Sequence, residues 1–139
     1  MHMAENKGTL SKEEHSATRT ILVVEDDFDI GIFLIEAITQ ETPYRALLAR
    51  DATQALNIAR TVKPSAVLVD YQLPGMNGIE LYDQLHATNG LEDTPAILAS
   101  AHIPTIAVEE RHLPSLKKPF DLEELLQTIE EVLENSEEQ

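Results

Sequence analysis

The sequence predicts a doubly wound α/β fold: a five-stranded parallel sheet with helices on both faces. Three observations lead there. Short apolar runs bounded by turn residues recur along the chain, each followed by a stretch whose apolar residues keep helical spacing. This strand-then-helix alternation repeats five times, which calls for parallel strands joined by right-handed crossovers. At 139 residues and 42% hydrophobic content, the chain has room for one domain with a real core.

Residues 1–18 show no period and few large apolar residues, and read as a mobile N-terminal extension. Residues 19–135 read as the domain, and 136–139 as an acidic C-terminal tail. Ile21-Leu22-Val23-Val24 is an unbroken apolar run that closes on Glu25-Asp26-Asp27. Phe28, Ile32, Ile35 and Ile38 then keep helical spacing, with Leu34 widening the stripe, and the helix stops before Pro43. Tyr44 to Ala49 is a short strand. Asp51 caps a helix carrying Ala52, Ala55, Leu56, Ala59 and Val62, and Pro64 ends it.

The central unit comes next. Ala66-Val67-Leu68-Val69 runs into Asp70, a Pro74-Gly75 turn and Gly78, after which Ile79, Leu81, Tyr82 and Leu85 recur at helical spacing. Tyr82 and Leu85 are expected in the core. Pro95-Ala96-Ile97-Leu98-Ala99-Ser100 is a fourth strand. Pro104 and Pro114 confine any fourth helix to the few residues between them, and Leu116 marks a short edge strand. After Lys117-Lys118-Pro119-Phe120, a stripe of Leu122, Leu125, Leu126, Ile129, Val132 and Leu133 makes the last helix. Asp121 and Glu124 there form a capping-box pattern.

The formal net charge of −15 repels nucleic-acid phosphates, so protein partners are expected and direct nucleic-acid binding is not. The absence of cysteine excludes a disulfide framework and thiolate metal sites. No apolar run is long enough to span a bilayer and no signal peptide is evident, so the cytoplasm is the expected compartment and no membrane partner is expected. His86, His102 and His112 have no paired metal spacing and are expected at the surface.

Open α/β sheets gather their chemistry at the carboxyl ends of the strands. Glu25 and Asp26 after the first strand, Asp70 after the third, Ser100 after the fourth and Lys118 after the fifth should therefore meet. Two like charges about 4 Å apart repel by roughly 4 kcal/mol at an effective dielectric near 20. Three carboxylates together thus call for a cation. An all-oxygen site of few carboxylates suits Mg²⁺, which also takes phosphate oxygens. Lys118 adds a positive charge, Ser100 a hydroxyl donor, and an aspartate such as Asp70 can act as a nucleophile toward phosphorus.

With Val23-Val24-Glu25-Asp26, the Asp-x-x-Leu-Pro-x-x-x-Gly loop from Asp70 to Gly78, Ser100-Ala101 and Lys118-Pro119-Phe120 in this order, the chain resembles the CheY-like receiver domain of two-component response regulators. The resemblance spans roughly residues 19–133 and implies a flavodoxin-like sheet. It also implies that Asp70 is the phospho-acceptor, and that Glu25, Asp26, Asp70 and the backbone carbonyl of Gln72 hold Mg²⁺. Within that set it makes Asp26 a direct ligand and lets Glu25 act through water. Ser100 and Lys118 would meet the phosphoryl group, Gln72 and His102 would flank it, and the Lys118–Pro119 bond would be cis. The implied partners are a histidine kinase or histidine phosphotransfer protein upstream and an unnamed protein downstream. The chain departs from the family at Ser115, where receivers carry Tyr or Phe. It also has fewer residues between Ser100 and Lys118, so the fourth helix is expected to be shortened or absent.

The expected function is that of a single-domain phospho-acceptor signalling protein, not an enzyme acting on a separate substrate. Two alternatives compete. One is a receiver-fold binding module whose switch is altered or lost, suggested by Ser115. The other is a Mg²⁺-dependent aspartyl-phosphate phosphatase, which would want a second acid where Gln72 stands.

Overall fold

The structure, a computed structural model, describes residues 19–137; the sequence's N-terminal extension lies outside the described residues. Five strands and five helices alternate: β1 (Thr20–Val24), α1 (Phe28–Glu41), β2 (Arg45–Ala49), α2 (Ala52–Val62), β3 (Ala66–Asp70), α3 (Gly78–His86), β4 (Ala96–Ser100), α4 (Thr105–Glu110), β5 (Ser115–Lys117) and α5 (Leu122–Glu137). The strands form one parallel sheet in the order β2-β1-β3-β4-β5. The predicted doubly wound architecture is what the chain adopts.

Side chains alternate across a strand, so each central strand feeds two cores. Ile21 and Val23 of β1 face one side with Leu68, Ile97 and Leu116, where α1 contributes Leu34 and Ile38 and α5 contributes Leu125, Ile129, Val132 and Leu133. Leu22 and Val24 face the other side with Val67, Val69 and Leu98, under Ala52, Ala55 and Ala59 of α2 and Ile79, Leu81 and Leu85 of α3. All five residues of β1, β3 and β4 are buried. This explains their continuous apolar runs, since a sheet covered on both faces needs no polar alternation.

Helix ends follow the sequence signals. Asp27 and Asp51 cap α1 and α2 by accepting from the N–H groups of Ile30 and Gln54. Asn77 and Glu80 close a full capping box on α3, and Asp121 and Glu124 do the same at the start of α5. α5 continues through Glu137, past the last apolar residue of its stripe.

Three expectations about side chains need correction. α1 buries Gly31, Leu34, Ala37 and Ile38, whereas Phe28 is 52% exposed. The helix is rotated from the expected stripe because Gly31 lies against Leu48; a Cβ there would stand 2.7 Å from Leu48 Cδ1. Tyr82 is half-buried instead of core, lying against the His86 ring with centroids 4.1 Å apart, and His86 is itself half-buried, its Nε2 2.7 Å from the Thr94 carbonyl.

The fourth helix is present but short, at six residues with none buried. Pro104 stands at its N-cap without a side-chain cap bond, and His112, just past its end, takes a left-handed φ of 50°. Arg111 fastens this end to α3 through two bonds to Asp83, of 2.8 and 2.7 Å. Among the described residues, no helix is long and apolar enough to cross a membrane.

Candidate functional site

After β1 the chain crosses to β2 on one side, and β3 returns on the other. The connections leaving β1 and β3 therefore diverge, opening a crevice at the carboxyl ends of these two strands. Glu25 and Asp26 directly follow β1, and Asp70 is the last residue of β3. The register pairs Val24 with Val69, so the residues that follow each, Glu25 and Asp70, come level across the two strands.

The carboxylates of Glu25, Asp26 and Asp70 each offer an oxygen within 4.8 Å of the others. Glu25 and Asp70 are buried, at 3% and 9% exposure, while Asp26 is exposed. Lys118, just beyond β5, reaches in from the far side of β4. Its Nζ donates to Asp70 Oδ1 at 3.1 Å and stands 3.6 Å from Glu25 Oε1. The other Glu25 oxygen, Oε2, accepts from the Asp27 N–H at 3.1 Å. Burial, the largest effect, pushes the Glu25 carboxyl above its ordinary value; the Asp27 N–H opposes it, Asp70 adds to it and Lys118 offsets part of it. This cluster of acids is able to coordinate a divalent metal, with Asp26 as its solvent-facing member.

Ser100, 5% exposed at the end of β4, is part of the same strand-end row. Its hydroxyl donates to the His102 carbonyl at 2.8 Å and accepts from the His102 N–H at 3.2 Å. The hydroxyl is thus held in a local turn. Gln72 is exposed in the loop after β3, and His102 is exposed beyond β4. The Lys118–Pro119 bond is cis, as the resemblance implies. Ser115, at the start of β5, is exposed.

The loop after β3 is built tightly. The Gly78 N–H donates to the Tyr71 carbonyl at 2.7 Å, and a Cβ on Gly78 would stand 2.7 Å from the Asp70 carbonyl oxygen and 3.0 Å from Tyr71 Cα. Glycine is therefore required by close backbone approach at the end of β3.

The profile of the response regulator receiver domain matches residues 21–130. The chain belongs to this family. It is 31% identical over 117 residues to sporulation initiation phosphotransferase F of Bacillus subtilis, covering 81% of this chain and 92% of that one. It is 34% identical over 113 residues to the DNA-binding response regulator MtrA of Mycobacterium tuberculosis, covering 78% of this chain but only 48% of that protein. It thus spans about half the length of the latter. Among solved structures, the signal receiver domain of an HD domain-containing protein from Pseudomonas fluorescens superposes with a TM-score of 0.78 at 28% identity, covering 88% of this chain and 99% of that one. A CheY-like receiver domain protein from Methanospirillum hungatei superposes at 0.79, with 23% identity and 87% and 98% of the two chains covered, a likeness of fold. As a receiver domain, the chain is of the type found in phosphorelay signalling.

Reading the sequence alone missed two features beside these acids. Arg50 donates through Nη2 to the Asp26 carbonyl at 3.3 Å and lies over the Phe28 ring, 5.2 Å from its centroid. An apolar groove opens beside Asp70, walled by Ile30, Phe33 and Leu34 of α1 and by Ala101, Pro119 and Phe120. The available signal was an excess of large apolar residues on α1, more than one buried face needs.

Proposed function

We propose that this chain accepts a phosphoryl group on Asp70 from a phosphohistidine of a histidine kinase or histidine phosphotransfer protein, with Mg²⁺, and signals onward by protein–protein contact. The observation that carries the reading is the buried Asp70 carboxylate, held by the Lys118 ammonium at 3.1 Å beside two further acids. A buried cluster of acids of this kind is unfavourable even with Lys118 beside it, and a bound cation relieves it. Mg²⁺ held by Asp26, Asp70, the Gln72 carbonyl and Glu25 would neutralise charge on the phosphoryl oxygens. The donor set is all oxygen, as that ion requires.

The chain's own residues then have distinct tasks. An Asp70 carboxylate oxygen forms the bond to phosphorus as the phosphorus–nitrogen bond to the donor imidazole breaks, and the electron pair leaves with the imidazole. Lys118 moves its hydrogen bond from Asp70 to a phosphoryl oxygen. Ser100 gives up its bond to the His102 carbonyl and donates to another, a charge-assisted contact stronger than the one it replaces. Because Ser115 is no aromatic, the movement of Ser100 passes into the 101–114 backbone.

Incubation with acetyl phosphate and Mg²⁺ followed by intact mass tests the reading. The parent is expected to gain roughly 80 Da, the mass of one phosphoryl group carrying up to two negative charges, and Asp70→Asn to gain nothing. Persistent labelling of Asp70→Asn refutes the assignment. A parent that gains no mass favours the second reading, a binding module without a switch, which the engaged Ser100 hydroxyl and exposed Ser115 support.

A further inference from the structure

We propose that Arg50 and Phe28 form a clasp that holds Asp26 in its metal-binding position, which makes Arg50 a positioning residue of the site. The inference rests on the reading that Asp26 binds Mg²⁺. Asp26 is the exposed member of the acid cluster, and the chain on either side of it is fixed. Before it, the Glu25 N–H donates to the Ala49 carbonyl at 3.0 Å and so extends the β1–β2 pairing by one residue. After it, the Asp27 N–H donates to Glu25 Oε2, and the Asp27 carboxylate caps α1. The carbonyl of Asp26 is held from outside this loop, by Arg50 Nη2 at 3.3 Å.

Arg50 is itself fixed at both ends. The register pairs Val24 with Ala49, so Arg50, the residue after β2, comes level with Glu25. Its N–H donates to Gln54 Oε1 at 2.7 Å, which ties its main chain to the first turns of α2. Its guanidinium lies over the Phe28 ring, 5.2 Å from the centroid and within cation–π reach. This gives a task to Phe28, which opens α1 yet stays 52% exposed. A planar guanidinium can rest on a ring and donate from its edge at once, as a point ammonium cannot. The bond goes to the carbonyl of Asp26 and not to its carboxylate, which stays exposed. Two effects oppose each other at the metal. As a like charge, Arg50 repels a cation, but it is exposed and therefore screened. As a clasp, it orders a ligand in advance, and partners that orient metal ligands are typically worth roughly 10–100-fold in affinity. Positioning is the larger effect, so removing this positive charge weakens cation binding.

The test compares the parent with Arg50→Ala, Phe28→Ala and the double variant. Mg²⁺ is titrated with no phosphoryl donor present, following the Asp26 and Asp27 amide resonances. Arg50→Ala should weaken binding about three- to tenfold, toward the low end for such partners because the clasp is exposed. Phe28→Ala, which removes no charge, should weaken it about twofold. The double variant should match Arg50→Ala, because the ring acts only through the guanidinium. Without metal, exchange at the Asp27 amide, which shares its peptide group with the Asp26 carbonyl, should quicken in both single variants. In labelling by acetyl phosphate the Mg²⁺ KM should rise while kcat and the urea midpoint stay near the parent's. Binding in Arg50→Ala that equals or exceeds the parent's overturns the clasp and leaves the metal reading standing. Additive effects of the two substitutions overturn the joint action of Arg50 and Phe28. A fall in kcat and in the urea midpoint overturns positioning in favour of a purely structural role. A parent that binds no Mg²⁺, or binding that Asp26→Ala leaves unchanged, overturns the metal reading and this inference with it.

Discussion

Asp70 depends on neighbours that act in opposite directions. Lys118 attracts it, Glu25 repels it, and Gly78 closes the space beneath its carbonyl. Burial raises the Glu25 carboxyl against the opposing Asp27 N–H and, less, Lys118, so ionising it costs the fold. The linkage follows from the sign. A carboxyl whose folded value is raised leaves stability intact below its ordinary 4.5 and removes it as pH rises through the folded value. Glu25→Gln should therefore raise the urea midpoint of the metal-free protein at pH 7 and weaken Mg²⁺ binding less than Asp26→Ala does. Equal midpoints for parent and variant at pH 7 would show that burial of this charge costs nothing. Gly78→Ala has the opposite character. The added methyl meets two backbone atoms that have nowhere to go, so it should cost about 1–3 kcal/mol by urea unfolding and slow labelling of Asp70. Gly75→Ala is the control: its φ of +80° makes alanine unfavourable by about 1 kcal/mol, but nothing lies within 4 Å of the new methyl and Asp70 is left in place.

Among the elements, α4 stands apart. It has six residues, none buried, and its C-terminal end is tied to α3 by the Arg111–Asp83 pair. The Arg111 guanidinium, through its hydrogen bonds, holds the Asp83 carboxyl below its usual 3.8. A depressed acid contributes stability that is present above the ordinary value and lost as pH falls through the folded value. The pair lies at the surface, so its worth should be below about 1 kcal/mol. In a double-mutant cycle of Asp83→Asn and Arg111→Gln, the coupling should be measurable at pH 7 and vanish below the folded Asp83 value. A coupling that persists there would mean the tie is not ionic. Local amide exchange in residues 105–111 is the sensitive probe, since a helix with so few core contacts opens without global unfolding.

Over the whole molecule, legibility tracks how local the cause is. The strands showed as apolar runs because both sheet faces are covered, and the caps at Asp51 and Asp121 showed because capping is settled within four residues. The short α4 was foreseeable from Pro104 and Pro114, which act on their own backbone. The rotation of α1 was not, since it depends on Gly31 meeting Leu48 of another element. Tyr82 misled for the same reason: helical spacing places it beside Leu81 and Leu85, but the depth of cover there depends on the chain packed against α3.

By itself, then, the sequence determined the βα alternation, the sheet class and the set of strand-end residues with chemistry, Glu25, Asp26, Asp70, Ser100 and Lys118. Each of these follows from periodicity or from position next to a run, and short-range sterics enforce both. Only the tertiary structure decided which of these side chains touch. Strand order set Asp70 between the β1 acids and the Lys118 ammonium, while Ser100, in the same row, was turned to bond the His102 backbone. It also decided that Arg50 would reach the Asp26 carbonyl and that a wall of α1 would face Pro119 and Phe120 across a groove. These contacts join residues up to about ninety positions apart. They depend on how helices seat against a sheet, which no local pattern encodes.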